Sequence, residues 1–195
     1  MSESIVVPTD RDVRGTLDEP TADACVVACP PHPRMGGDRT DSRLRAVSDA
    51  VDAACLRFDY GPWDDGYGEL ADARAALSWA RDRYGADRVA MFGYSFGGCI
   101  ALLASARDDP VAVSTLAPVA KLTDELDGVS AIGELDCPLQ LVYGSRDTTA
   151  DWEPALEAAR KRGATIEELP ADHFFVGRTA DVGRIVAAFL EDALG

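Results

Sequence analysis

A chain of 195 residues is the size of one ordinary domain and short for two. Hydrophobic residues make up 47% and charged residues 27%, enough to build a core and to exclude a disordered tail, and no stretch approaches the roughly 20 consecutive apolar residues of a membrane span. The formal net charge of −15, from 34 acidic and 19 basic residues, makes nucleic acid and anionic membranes poor partners.

The first 15 residues lack a basic start followed by an apolar run, so no secretory signal is read and a cytoplasmic protein is expected. Two short runs, 5–7 and 12–17, are predicted to form a hairpin. From residue 25 onward, apolar runs that end in Gly or Pro alternate with amphipathic stretches. In chain order the reading is strand at 25–29, helix at 39–54 and 67–84, strand at 89–92, helix at 97–107, strand at 111–116 and 139–143, helix at 152–162, strand at 164–169 and helix at 179–194. The last helix has Val182, Ile185, Val186 and Phe189 at helical spacing. Strand and helix repeated in this way imply a mostly parallel sheet covered on both faces, as a single domain over 1–195. Only about one short helix fits between Pro118 and Pro138, so no large cap over the sheet is expected. In such a sheet, reactive residues gather in the loops beyond the carboxyl ends of the strands.

The strand at 89–92 runs into Gly93-Tyr94-Ser95-Phe96-Gly97, a G-x-S-x-G placed between a strand and a helix. A serine hydroxyl is a weak nucleophile unless its oxygen is presented freely beside a base. A sharp strand-to-helix turn does this at the cost of backbone strain, and it leaves room only for glycine two positions either side. The following helix points its positive end at a developing oxyanion. With 10 serines and 17 glycines, chance would place about 0.08 such motifs in the chain. A phosphate cradle is the competing use of a Gly-rich turn, but no lysine follows as a P-loop requires.

The base must come from two histidines, His32 and His173. In this kind of sheet the order is Ser, then acid, then His, and only His173 follows Ser95; it sits in a turn between the late strand and the final helix. Fourteen acidic residues lie between Ser95 and His173, so position has to choose among them. Asp147 stands just past the end of the 139–143 strand and is the expected partner of His173. Asp124 and Asp127 follow another strand and are its rivals, while Asp172 is adjacent to the histidine and badly placed to reach its ring.

An oxyanion hole needs the N–H of Phe96 and a second donor from the loop after an early strand. That loop is Pro30-Pro31-His32-Pro33-Arg34-Met35-Gly36-Gly37, and since proline has no N–H, His32 is the donor closest to the strand end. The competing role for His32 is to lock the Pro-rich turn with its ring. Trp63-Asp64-Asp65-Gly66-Tyr67-Gly68-Glu69 follows a strand and is a candidate pocket wall, with Glu69 as support behind it. Trp79 reads as core.

These residues resemble the α/β-hydrolase superfamily over nearly the whole chain, and more narrowly the small dienelactone-hydrolase-like serine hydrolases. That group shows H-P-H-P-x-x-G-G, R-F-N-F-R-G, G-x-S-x-G and D-H-F-F. The counterparts here are Pro30 to Gly37, Arg57-Phe58-Asp59-Tyr60-Gly61-Pro62, Gly93 to Gly97, and Asp172-His173-Phe174-Phe175. The resemblance implies an α/β-hydrolase fold with about eight strands, chemistry by Ser95, Asp147 and His173, and action on an acyl bond. Pro30 departs from the first histidine of the early loop. Dienelactone hydrolases proper use a cysteine nucleophile, so Ser95 here does not imply dienelactone as substrate.

The reading is therefore a cofactor-free, metal-free serine hydrolase of small carboxylic esters, as a monomer or homodimer. A thioesterase, a short-peptide hydrolase with the same residues, and a non-catalytic binding module are the alternatives. Cys25, Cys29, Cys55, Cys99 and Cys137 form no C-x-x-C pair and read as buried free thiols of a reducing compartment. Lysine occurs only at Lys121 and Lys161, so arginine supplies nearly all cations. A surface of short carboxylates self-repels unless salt screens it, which points to a salt-rich cytosol; an ordinary acidic enzyme from a high-GC genome is the competing explanation.

Overall fold

A computed structural model describes residues 1–195. The strands are β1 (Ser2–Val6), β2 (Arg14–Asp18), β3 (Cys25–Cys29), β4 (Ala54–Asp59), β5 (Val89–Tyr94), β6 (Val113–Leu116), β7 (Leu139–Gly144) and β8 (Thr165–Leu169). They make one eight-stranded sheet in the order β1-β2-β4-β3-β5-β6-β7-β8. The β1–β2 and β2–β4 pairings are antiparallel and all later ones are parallel. From β3 the chain runs first to β4 on one side and then to β5 on the other, so strand order reverses beside the end of β3, where α/β sheets place their sites.

Strands covered on both faces need apolar residues at every position, and β3, β5 and β7 are buried throughout. The two-residue period then divides them between two cores. Val26, Ala28, Ala90 and Phe92 face one layer, whereas Cys25, Val27, Val89 and Met91 face the other. The first layer is closed by α1 (Ser42–Ala50) and α6 (Thr179–Leu194) through Leu44, Val47, Val182 and Val186. The second is closed by α2 (Tyr67–Tyr84), α3 (Phe96–Asp108), α4 (Gly128–Glu134) and α5 (Glu153–Arg162). The α1 and α6 backbones meet so closely that a Cβ on Gly183 would lie 2.4 Å from the Ala46 carbonyl oxygen.

The predicted alternation is the observed one, with local corrections. The helix expected at 39–54 covers only Ser42–Ala50. Asp41 caps it by accepting from the Arg43 and Leu44 amides, and the chain is extended again by Ala54, which begins β4. The hairpin pairs Ser2–Val6 with Arg14–Asp18 rather than 5–7 with 12–17, and β6 starts at Val113, two residues late. Trp79 is half-buried, not core: it packs on the core edge, with the Arg83 guanidinium 5.6 Å from its ring centre. All five cysteines are buried and free. The connection between β6 and α4, residues 117–127, carries no inserted domain, and no helix is long and apolar enough to cross a membrane.

Candidate active site

Ser95 ends the run of β5 and stands as the cap of α3 with φ 57° and ψ −117°. Positive φ on a non-glycine residue costs about 1–3 kcal/mol, and the surroundings hold it there. The Ser95 amide donates to the Leu116 carbonyl at 2.9 Å, while its own carbonyl accepts from the Gly98 amide at 2.9 Å. The flanking glycines are dictated by contact. A Cβ on Gly93 would sit 2.1 Å from the Gly97 carbonyl oxygen, and one on Gly97 would sit 2.3 Å from both the Cys29 and Pro30 carbonyl oxygens. The serine turn is thus pressed directly against the end of β3.

His173 and Asp147 come to the same rim from the loops after β8 and β7. His173 Nε2 lies 3.0 Å from Ser95 Oγ and its Nδ1 lies 2.7 Å from Asp147 Oδ2. The Asp147 carboxylate is wholly buried, and its second oxygen Oδ1 accepts from the amides of Thr149 at 2.8 Å and Ala150 at 3.2 Å. With its other oxygen occupied, the carboxylate accepts a hydrogen bond from the Nδ1–H of the ring, and this leaves Nε2 with a lone pair facing the serine. The turn carrying His173 is held from below: its carbonyl accepts from the Tyr94 hydroxyl at 3.0 Å, and burial pushes that phenol up to about 12. Arg43 lies over the Tyr94 ring at 4.5 Å and donates to the Phe174 carbonyl.

The rivals of Asp147 are occupied elsewhere. Asp124 is exposed and pairs with Lys121 at 2.8 Å, Asp127 caps α4, and the exposed Asp172 accepts from the Phe174 amide.

Phe96 and His32 line the same cleft as Ser95, with their ring centres 4.9 Å apart. Phe96 opens α3, so its N–H lies in the first turn, where amides have no partner within the helix. The His32 N–H makes no hydrogen bond within the protein. The His32 ring also does what its competing role required: Nδ1 accepts from the Arg34 amide at 3.2 Å, locking the Pro-rich turn. The two uses are compatible, since one employs the side chain and the other leaves the main-chain N–H free. Desolvation, reinforced by the Arg34 charge, lowers the His32 pKa and favours the neutral ring that this bond needs.

The cleft above these residues has a volume of about 570 Å³ and is open to solvent. Its aromatic wall was only partly foreseen: Trp63 stacks on His32 with ring centres 4.6 Å apart and lies 5.8 Å from Phe96. Val119 and Leu122 face the cleft from the loop after β6. Arg43 also lines it, unforeseen because nothing in a lone arginine on α1 announces that the helix start lies beside the final histidine turn. No cluster of three or more His, Cys, Asp or Glu side chains is arranged to hold a metal ion.

Fold and motif together define an α/β-hydrolase-fold serine hydrolase. Residues 52–177 match the X-Pro dipeptidyl-peptidase (S15) family, and the chain belongs to that family. No curated protein matches it. Among solved structures it is similar to an α/β serine hydrolase homologue from Coxiella burnetii, at 22% identity and TM-score 0.81 over 97% of both chains. It is also similar to a lidless α/β serine hydrolase from Xanthomonas campestris, at 20% identity and TM-score 0.80 over 99% of this chain and 93% of that one. Est1E from Butyrivibrio proteoclasticus shares 18% identity, with TM-score 0.81 over 98% of each chain.

Proposed function

We propose that the protein hydrolyses carboxylic esters of small or soluble substrates through Ser95, His173 and Asp147. The observation that carries the reading is the unbroken hydrogen-bonded run from the buried Asp147 carboxylate through His173 to Ser95 Oγ. Ser95 Oγ attacks the substrate carbonyl while His173 Nε2 takes its proton, and Asp147 stabilises the imidazolium that forms. The oxyanion is received by the N–H groups of Phe96 and His32. His173 then returns the proton to the departing alcohol, leaving an acyl group on Ser95. Water, deprotonated by the same imidazole, then attacks this acyl group; the acyl–Oγ bond breaks, the carboxylic acid leaves, and the imidazolium returns its proton to Ser95 Oγ. The open cleft, walled on one side by Trp63, His32 and Phe96, suits a compact acyl group better than a lipid chain.

The test is covalent labelling. A fluorophosphonate is expected to label Ser95 in the native protein and to fail with His173→Ala; absence of labelling on folded wild-type protein would overturn the reading. The family match favours a second reading, cleavage of short peptides by the same residues. A substrate panel of p-nitrophenyl acetate and butyrate, short-chain thioesters and dipeptidyl p-nitroanilides decides between them by kcat/KM. Preference for the anilides would replace the ester assignment.

A further inference from the structure

Behind the Trp63 wall lies a charged cluster that the proposed reaction does not use. Glu69 and Asp72 occupy the start of α2 one turn apart, and both carboxylates are fully buried. Glu69 accepts from the Asp64 amide at 3.0 Å and the Gly66 amide at 2.8 Å, while Asp72 accepts from the Gly61 amide at 2.9 Å. Arg11, from the turn between β1 and β2, donates its Nε to Asp72 at 2.8 Å and an Nη to the Pro62 carbonyl, and its guanidinium stands 3.9 Å from Glu69. The backbone on both sides of Trp63 is therefore tied to one buried network.

The space for Arg11 is made by two glycines. A Cβ on Gly68 would lie 2.2 to 2.4 Å from the guanidinium atoms, and one on Gly61 would lie 2.1 Å from the Arg11 carbonyl oxygen. What this network holds faces the site: Trp63 stacks on His32, and the neighbouring Tyr60 hydroxyl donates to the Pro30 carbonyl, the same oxygen that abuts Gly97. We propose that Arg11, Glu69 and Asp72 form a positioning cluster that clamps the 61–66 loop, presses Trp63 onto His32, and so sets the place of the His32 N–H relative to Ser95. The inference rests on the hydrolase reading, in which that N–H receives the oxyanion. None of the three touches substrate.

The experiment separates the two ideas. In a background with Trp79→Phe and Trp152→Phe, Trp63 is the sole tryptophan, and its emission maximum and acrylamide quenching report the clamp without reference to catalysis. R11M is expected to shift emission to longer wavelength, raise quenching, and lower kcat about tenfold while KM changes less than about twofold, with R11K restoring part of kcat. G68A displaces the far end of the same flexible side chain and should reproduce these effects, which serves if R11M folds poorly. Unchanged Trp63 emission and quenching in both variants would overturn the clamp. A changed emission with kcat and KM unaltered would equally overturn it, because the loop would then move without consequence for the reaction. Failure of the wild-type protein to react with the fluorophosphonate would instead strike the hydrolase reading alone, leaving the fluorescence result to stand.

Discussion

Replacing Gly97 by alanine is the sharpest perturbation of the serine turn. The new Cβ would fall 2.3 Å from two backbone oxygens, those of Cys29 and Pro30. An ordinary carbon–oxygen contact needs about 3.3 Å, so the end of β3 and the serine turn must separate by about 1 Å. Neither oxygen can swing aside as a side chain would, because each belongs to the chain leaving a central strand. Overpacking of this kind costs about 1–3 kcal/mol of stability, and a shift of about 1 Å between nucleophile and oxyanion donors costs about 10²-fold in kcat. Gly133→Ala supplies the matched control. Gly133 lies inside α4 with nothing within 4 Å of its Cβ position, so alanine there is expected to stabilise by about 0.5–1 kcal/mol and leave turnover alone. The assay is kcat/KM on p-nitrophenyl acetate beside a thermal melt of each variant. G97A retaining kcat within about threefold of wild type would refute the claim that the β3 end and the serine turn are in fixed register.

Asp147→Asn should lower kcat by about 10⁴-fold with little loss of fold, since the amide can no longer hold Nδ1 as the donor; a fall under tenfold would remove Asp147 from its assigned role. His32 has its pKa lowered in the folded protein, so the unfolded chain takes up that proton first as pH falls. Its contribution to stability is complete above the free histidine value of about 6.5 and is lost as pH drops through the window below it. A His32→Asn variant should accordingly show a flatter melting temperature than wild type between pH 7 and pH 5. We propose that the −15 charge is an adaptation to concentrated salt. Raising NaCl from 0.1 to 1 M shortens the screening length from about 10 to about 3 Å and should raise the melting temperature, whereas a salt-independent melt would count against it. The thiols of Cys55 and Cys99 are pushed up to about 12 by burial, so none of the five cysteines should react with a thiol reagent until denaturant is added.

What could be read from the chain alone was whatever local pattern encodes. Strands buried on both faces are continuous apolar runs, so β3, β5 and β7 were legible to within a residue or two, and Gly93 to Gly97 announced the strained serine because its sterics are local. His173 followed from scarcity and chain order, and Asp147 from its place at a strand end; the structure places His173 against Ser95 and Asp147 against the far side of the His173 ring. The helix start at Ser42 was missed because a cap depends on one side chain turning back to amides two and three residues on, not on periodicity. The clamp at Arg11 was out of reach for a different reason. Arg11 and Asp72 are 61 positions apart, and a buried carboxylate at the start of a helix looks in sequence like an ordinary solvated acid favoured by the dipole.

The loop after β6 that leaves the cleft unroofed has a kinetic consequence. If the cleft works as proposed, substrate entry and product escape need no hinged piece to swing, and neither step is expected to carry a conformational barrier of its own. Turnover on poor esters should then be indifferent to added sucrose or glycerol, whose viscous drag slows enzymes that breathe through a moving cover. Under the proposed mechanism the same exposure would admit alcohols as well as water to an acylated Ser95, so transesterification in mixed solvents is the expected by-product.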